Sequence, residues 1–186
     1  MTMMQRRTSF LARFTSFDLI VLSLMACLGI ATKPLVVPLA HIITGPLFIP
    51  GGAVAGGLYM MWLVLGAGLV GKLGAATLIA AVQAIVVMAM GMLGTHGIMS
   101  IFTYLLPGLA VDLVFLVTRH RGCCSGCCFA AGIAANTSGA LLVNLIFFRL
   151  PMVPLILTLS AAALSGGVGG LIAHGVMIRF KDRMAW

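Results

Sequence analysis

Tyr104 to Arg121, YLLPGLAVDLVFLVTRHR, decides how the chain reads: it is an apolar run that holds one carboxylate, Asp112, and closes on Arg119, His120 and Arg121. A charge at the centre of a membrane helix costs about 2.5–3.5 kcal/mol on insertion scales, so a lone aspartate there is expected to face protein. Its expected role is structure or coupling rather than ligand contact, and Arg119, two turns on along the same face, is a candidate partner. A basic cap on an apolar run marks the cytoplasmic end of a membrane helix.

The rest of the chain extends that pattern. It has 186 residues, 62% of them hydrophobic and 8% charged, and its mean hydropathy is +1.21. A bilayer core takes about 20 apolar residues per helix, and the chain has room for six such spans with short connections. The expected fold class is an all-α integral membrane protein, one domain over residues 1–186. Eleven Lys and Arg against three Asp and Glu give a net charge of +8. In a soluble chain that excess would suggest nucleic acid. Here the basic residues sit at the ends of apolar runs, where they set topology and meet anionic headgroups of the lipid bilayer, so nucleic acid is not an expected partner.

Residues 1–17 carry Arg6, Arg7 and Arg13 and no acid, and an apolar run from Leu19 to about Ala31 follows. Leu24-Met25-Ala26-Cys27 resembles a lipoprotein cleavage box, but Asp18 stands where a signal peptide rarely has an acid, so an uncleaved first helix is expected. Lys33 to Pro50, KPLVVPLAHIITGPLFIP, holds Pro34, Pro38, Pro46, Pro50 and Gly45. Prolines lack an N–H and restrict the residue before them, so this segment is expected to be an ordered Pro-rich outer loop. The further spans are expected at about Gly52–Gly71, Leu73–Leu93, Ile98–Thr118 with a kink at Pro107, a fifth up to Phe148, and Leu155–Ile178. Nine Lys and Arg then fall inside (Arg6, Arg7, Arg13, Lys72, Arg119, Arg121, Arg179, Lys181, Arg183) and two outside (Lys33, Arg149). That bias places both termini in the cytoplasm.

The two outer cations point to function. With His41, Thr44, Tyr59, His96, Ser100, Tyr104 and Asn144 they form an outer polar set around an apolar interior, as a pocket open to the outside requires. Tyr59, Trp62, Tyr104 and His96 are expected to stack on or bond to a ring, Lys33, His41, Asn144 and Arg149 to hold its polar groups, and Gln83, deeper in the third span, to orient it. Cys123, Cys124, Cys127 and Cys128 lie too close together for one tetrahedral metal site, and reduced thiols in a cytoplasmic loop are expected. The alternative is a membrane protein that handles redox equivalents, a metal or haem through this cluster. Asn136-Thr137-Ser138 matches a glycosylation acceptor but falls inside a span. No phosphate-binding loop, HExxH or GxSxG is present, so no catalytic residue, cofactor or resident metal is expected, and ATP would be used by other subunits.

Two further stretches carry a resemblance: Gly71-Lys72-Leu73-Gly74-Ala75-Ala76 between the second and third spans, and Pro107-Gly108-Leu109-Ala110-Val111-Asp112-Leu113-Val114-Phe115 closing on Arg119. With the length, the helix count and the ordered segment after the first helix, the chain resembles the substrate-binding S-component of an energy-coupling factor (ECF) transporter, and is similar to the thiamine-precursor (hydroxymethylpyrimidine) type. The resemblance implies a subunit in the bacterial plasma membrane that captures a vitamin-like small molecule in its outer half. The candidates are a pyrimidine, an acidic vitamin or another cofactor such as haem. It also implies docking on a transmembrane coupling protein bound to two ATPases, through small residues of the first helix. Ser23, Cys27 and Ala31, with Ala26 beside them, are the nearest match to that docking pattern.

Overall fold

The computed structural model describes residues 10–47, 49–90, 99–119, 122 and 124–183. Among these residues there is no strand, and six α-helices account for most of the chain: α1 (Ser16–Thr44), α2 (Gly51–Val70), α3 (Ala75–Ala89), α4 (Ser100–Thr118), α5 (Ser125–Val143) and α6 (Met152–Arg183). Five of them are long and apolar enough to cross a membrane, and α3, at 15 residues, is a shorter apolar helix.

α1 begins on a reciprocal cap. The Thr15 backbone N–H donates to Asp18 Oδ2 at 2.7 Å, and the Asp18 N–H donates to Thr15 Oγ1 at 3.2 Å. Two of the orphan donors of the first turn are thereby satisfied. The helix then runs 29 residues, through Pro34 and Pro38, to Thr44. This corrects the expected loop from Lys33, whose helical part leaves only residues 45–50 as the connection to α2. The reason is the solvent: each proline forfeits one backbone bond, whereas an open chain in hydrocarbon would leave every N–H and C=O without a partner. Pro154 lies in the first turn of α6, where a missing N–H costs nothing.

Gly71 and Gly74, at φ 65° and 90°, turn the chain between α2 and α3. These left-handed conformations are open to glycine at no steric cost. At the other end of the bundle α5 passes into a π-helical turn, Asn144–Phe148, closed by Arg149 in a left-handed conformation.

The helices form a closed ring in the order α1, α2, α6, α5, α4, α3, with α3 returning to α1, and α2 also reaches α3 and α5 across it. α2 is the central element: 56% of its span is buried, against 22–33% for the other four long helices. Its glycines explain why. A Cβ on Gly57 would lie 1.9 Å from the Ser165 carbonyl oxygen, one on Gly169 2.1 Å from that of Gly57, and one on Gly132 2.1 Å from that of Gly166. α2, α5 and α6 thus meet backbone to backbone, along GGAVAGG of α2 and Ser165-Gly166-Gly167-Val168-Gly169-Gly170 of α6. Two polar side chains tie this seam. Asn136 donates to the carbonyls of Ala53 (2.9 Å) and Ala162 (2.8 Å), and Ser165 accepts from the Gly57 N–H (2.9 Å) while donating to the Val54 carbonyl.

Candidate functional site

Five helices, α1 to α5, leave a gap between them. A cavity of about 50 Å3 is lined by Gly29 and Lys33 of α1, Tyr59, Met60 and Leu63 of α2, Gln83 of α3, Thr103 and Tyr104 of α4, and Gly139 and Val143 of α5. At least about 10–15 Å3 is needed per water, so this space holds a few waters, and it is far below the roughly 300–1,000 Å3 of ordinary ligand sites.

Its polar groups converge. Lys33 Nζ donates to the Tyr104 hydroxyl at 3.0 Å and stands 4.5 Å from the Tyr104 ring centre and 5.7 Å from that of Tyr59. An ammonium against two ring faces is stabilised by about 0.5–2 kcal/mol, which helps keep the charge away from water. Tyr59 donates to the Gly52 carbonyl two turns back on α2, at 2.9 Å, which fixes its ring over the space. Gln83 is buried, and among the described residues its amide reaches the Ala26 carbonyl alone, at 3.4 Å. Gly29 makes that possible, because a Cβ there would lie 2.2 Å from Gln83 Nε2. The Thr103 hydroxyl donates to the Ser100 carbonyl at 3.2 Å.

Of the residues expected to bind substrate, Lys33, Tyr59, Gln83 and Tyr104 therefore line one cavity. Trp62, His41, Asn144 and Arg149 do not line it. Trp62 Nε1 donates to Thr32 Oγ1 at 3.0 Å and pins α2 to α1. His41 Nδ1 accepts from the Gly51 N–H at 3.4 Å, at the start of α2. Asn144 is buried and accepts from the Leu150 N–H at 3.0 Å, closing the turn before α6, and Arg149 is exposed in that same turn. His96 lies outside the described residues. Thr103, Met60, Gly29 and Gly139 were missed. A hydroxyl beside Tyr104 and glycines on the faces of Lys33 and Asn136 were the signals available, and each also reads as ordinary packing.

Asp112 has a structural place. Its carboxylate, 7% exposed, accepts from the N–H groups of Gly74 (3.2 Å) and Thr77 (2.8 Å) and from the Thr77 hydroxyl (2.6 Å). It caps the N-terminus of α3 from α4, where a negative charge meets the positive end of the helix dipole. The expected pairing with Arg119 does not occur. Among the described residues the ion pair is Lys72 with Asp18, joining the α2–α3 turn to the start of α1. A second space, about 170 Å3, lies at that end between Phe17, Val21, Leu69 and Val70, with Asp18 and Lys181 as its polar lining.

On α1, Ser23, Cys27 and Ala31 are exposed on one outward face with Ile20 and Leu24, whereas Ala26 is fully buried and stands off that face. Among the described residues no group of three or more His, Cys, Asp or Glu could hold a metal ion.

These features were compared with known proteins. No curated protein sequence matches the chain. Its fold is similar to that of a solved S-component of an ECF transporter, with a TM-score of 0.76 over 91% of this chain and 87% of that one, at 19% identity. Residues 17–138 match the family model described as "ABC-type cobalt transport system, permease component". A match over that much of the sequence makes this a transport subunit rather than an enzyme: the chain belongs to the family of permease components of ABC-type cobalt transport systems.

Proposed function

We propose that this chain is the substrate-binding S-component of an ECF-type importer and that its cargo is a small planar organic molecule of the vitamin or cofactor-precursor class. The observation that carries this reading is Lys33, held between the rings of Tyr59 and Tyr104 at a cavity that Gln83 also lines. An ammonium, an amide and hydroxyls suit the carbonyl, carboxylate or ring-nitrogen acceptors of such a molecule, and the two rings suit its faces. A hydroxymethylpyrimidine-like thiamine precursor fits that chemistry, as does an acidic vitamin; haem asks for a much larger opening.

The family description favours a second reading, import of a divalent cobalt ion. A cation beside Lys33 meets like charge, and among the described residues the lining brings no imidazole, thiolate or carboxylate to it, although such ligands suit that class of metal.

The subunit is read as six membrane crossings with both termini in the cytoplasm of a bacterial cell. α3, about 22 Å long by helical rise, crosses as the shortest of them, its N-terminus inside the bilayer on Asp112. The start of α1, the α2–α3 turn and the end of α6 then face inward with most of the Lys and Arg, and the cavity faces outward. A membrane coupling protein and two ATPases complete the importer, with the outward face of α1 as the docking side.

The test is calorimetric binding to the purified chain, with hydroxymethylpyrimidine, acidic vitamins, haem and Co2+ compared. Binding of an organic member, lost in Lys33→Met, supports the proposal. Binding of Co2+ alone, unaffected by that substitution, returns the cargo to the metal. Purification of the tagged chain from membranes, expected to bring a coupling protein and ATPases, tests the assembly.

A further inference from the structure

Transport leaves one sequence feature unused. The turn from α4 to α5 carries Cys124-Ser125-Gly126-Cys127, two thiols spaced by two residues at the start of a helix. Cys124 occupies the N-cap position in an extended conformation (φ −124°, ψ 131°) and is exposed; Cys127, one turn in, is half-buried; Cys128 is fully buried against α6. All three are free of disulfides.

This arrangement separates an attacking sulfur from a resolving one. The backbone N–H groups of Cys127 and Gly126 and the Cys127 side chain are hydrogen-bond partners of the Cys124 thiol, so the two sulfurs are already neighbours. The Cys124 sulfur lies over the first turn of α5, 3.7 Å from where a Cβ on Gly126 would stand. The donors also hold the Cys124 thiol below the usual thiol range, the direction expected at a helix N-terminus. Cys128 is 0% exposed and its backbone carbonyl lies against Gly170, so it has no route to a reagent in water.

We propose that Cys124 and Cys127 form a thiol–disulfide exchange site for a low-molecular-weight disulfide. The Cys124 thiolate attacks one sulfur of RS–SR. A bond forms between Cys124 Sγ and that sulfur, the RS–SR bond breaks, and RS− leaves to take up the proton that Cys124 gave to water. Cys127, on losing its proton, then attacks Cys124 Sγ, closes the Cys124–Cys127 disulfide and expels the second RS−, which takes that proton. Two protein thiols are oxidised and one small disulfide is reduced to two thiols. The turn that would be closed this way packs on α2 and α6: a Cβ on Gly122 would lie 2.8 Å from both Gly68 Cα and Met177 Sδ.

The experiment equilibrates the full chain in detergent with graded mixtures of reduced and oxidised glutathione, quenches with acid and maps thiols by peptide mass spectrometry. It uses the natural sequence, Cys123→Ser, Cys124→Ser and Cys127→Ser. Expected are a Cys124–Cys127 disulfide in the natural sequence and in Cys123→Ser, a glutathione adduct trapped on Cys124 in Cys127→Ser, and reaction of Cys127 slowed at least tenfold in Cys124→Ser. The proposal is overturned if Cys123→Ser abolishes the disulfide, or if the natural sequence keeps an unresolved adduct on Cys124. It is equally overturned if Cys124 does not react. All of these readouts are made on the chain alone and are independent of its cargo.

Discussion

The seam of α2, α5 and α6 and the cavity between α1, α2, α3, α4 and α5 lie in one ring of helices and are built on opposite rules. In the seam, backbones touch. Carbonyls approach glycine positions so closely that no Cβ fits, and Asn136 and Ser165 satisfy the carbonyls of Ala53, Ala162 and Val54. At the cavity, long polar side chains meet, and they bond weakly or to one another: Gln83 to a carbonyl at 3.4 Å, Lys33 to Tyr104 at 3.0 Å. Small residues in the membrane give close packing that has one solution, whereas flexible polar side chains can exchange a partner in the protein for one on a ligand. On this contrast the cavity walls, rather than the seam, are the expected place of opening. The 50 Å3 space makes such opening necessary for any organic ligand.

The strongest way to break this division is to force the seam apart. Gly132→Leu places a branched side chain where even a Cβ meets the Gly166 carbonyl at 2.1 Å, so a loss above about 3 kcal/mol is expected, read as failure to elute as a single folded species. A variant that elutes normally would mean that the seam is not rigid. Next in size is Lys33→Met, expected to weaken ligand binding by tenfold or more, since hydrogen bonds to charged groups contribute about 1.5–3 kcal/mol, with thermal stability nearly unchanged. The reverse pattern, lost stability and kept affinity, would turn Lys33 into a packing residue.

Asn136→Ala should do what Lys33→Met does not. It removes the donor from the carbonyls of Ala53 and Ala162 and is expected to cost about 1–3 kcal/mol in unfolding with affinity for the ligand retained. Asp112→Asn is smaller, about 1 kcal/mol, because an amide still accepts one of the bonds from Gly74 and Thr77 at the start of α3. The smallest effect lies outside both regions. Alkylation of Cys124 by iodoacetamide should reach half its limiting rate at a pH below the roughly 8.5 of a free cysteine, since the folded turn favours the thiolate. A midpoint at or above that value would show that the N–H groups of Cys127 and Gly126 do not act on it.

Most of the fold was legible, and the reasons are local. Hydrophobic length marks a membrane helix wherever it occurs, so α2, α4 and α6 fall close to their expected positions. Lys33 to Thr44 was not legible, because four prolines and a glycine within 18 residues read as a break, whereas a helix that continues through Pro34 and Pro38 gives up only two hydrogen bonds. At the site, Lys33, Tyr59, Gln83 and Tyr104 stood out as polar groups in apolar runs. Trp62 and Asn144 stood out in the same way and proved to hold helices and turns instead. Asn136, set aside as a misplaced glycosylation signal, ties three helices together.

Composition and run length by themselves determined that this is a helical membrane protein, because a bilayer reads residues one segment at a time. Which polar residue meets which is settled by the angle and depth at which helices cross, and that depends on pairs far apart in the chain. Tertiary structure alone therefore decided that Asp112 caps α3 rather than pairing with Arg119, that Ala26 faces inward while Ser23, Cys27 and Ala31 face out, and that Lys33 meets Tyr59 and Tyr104.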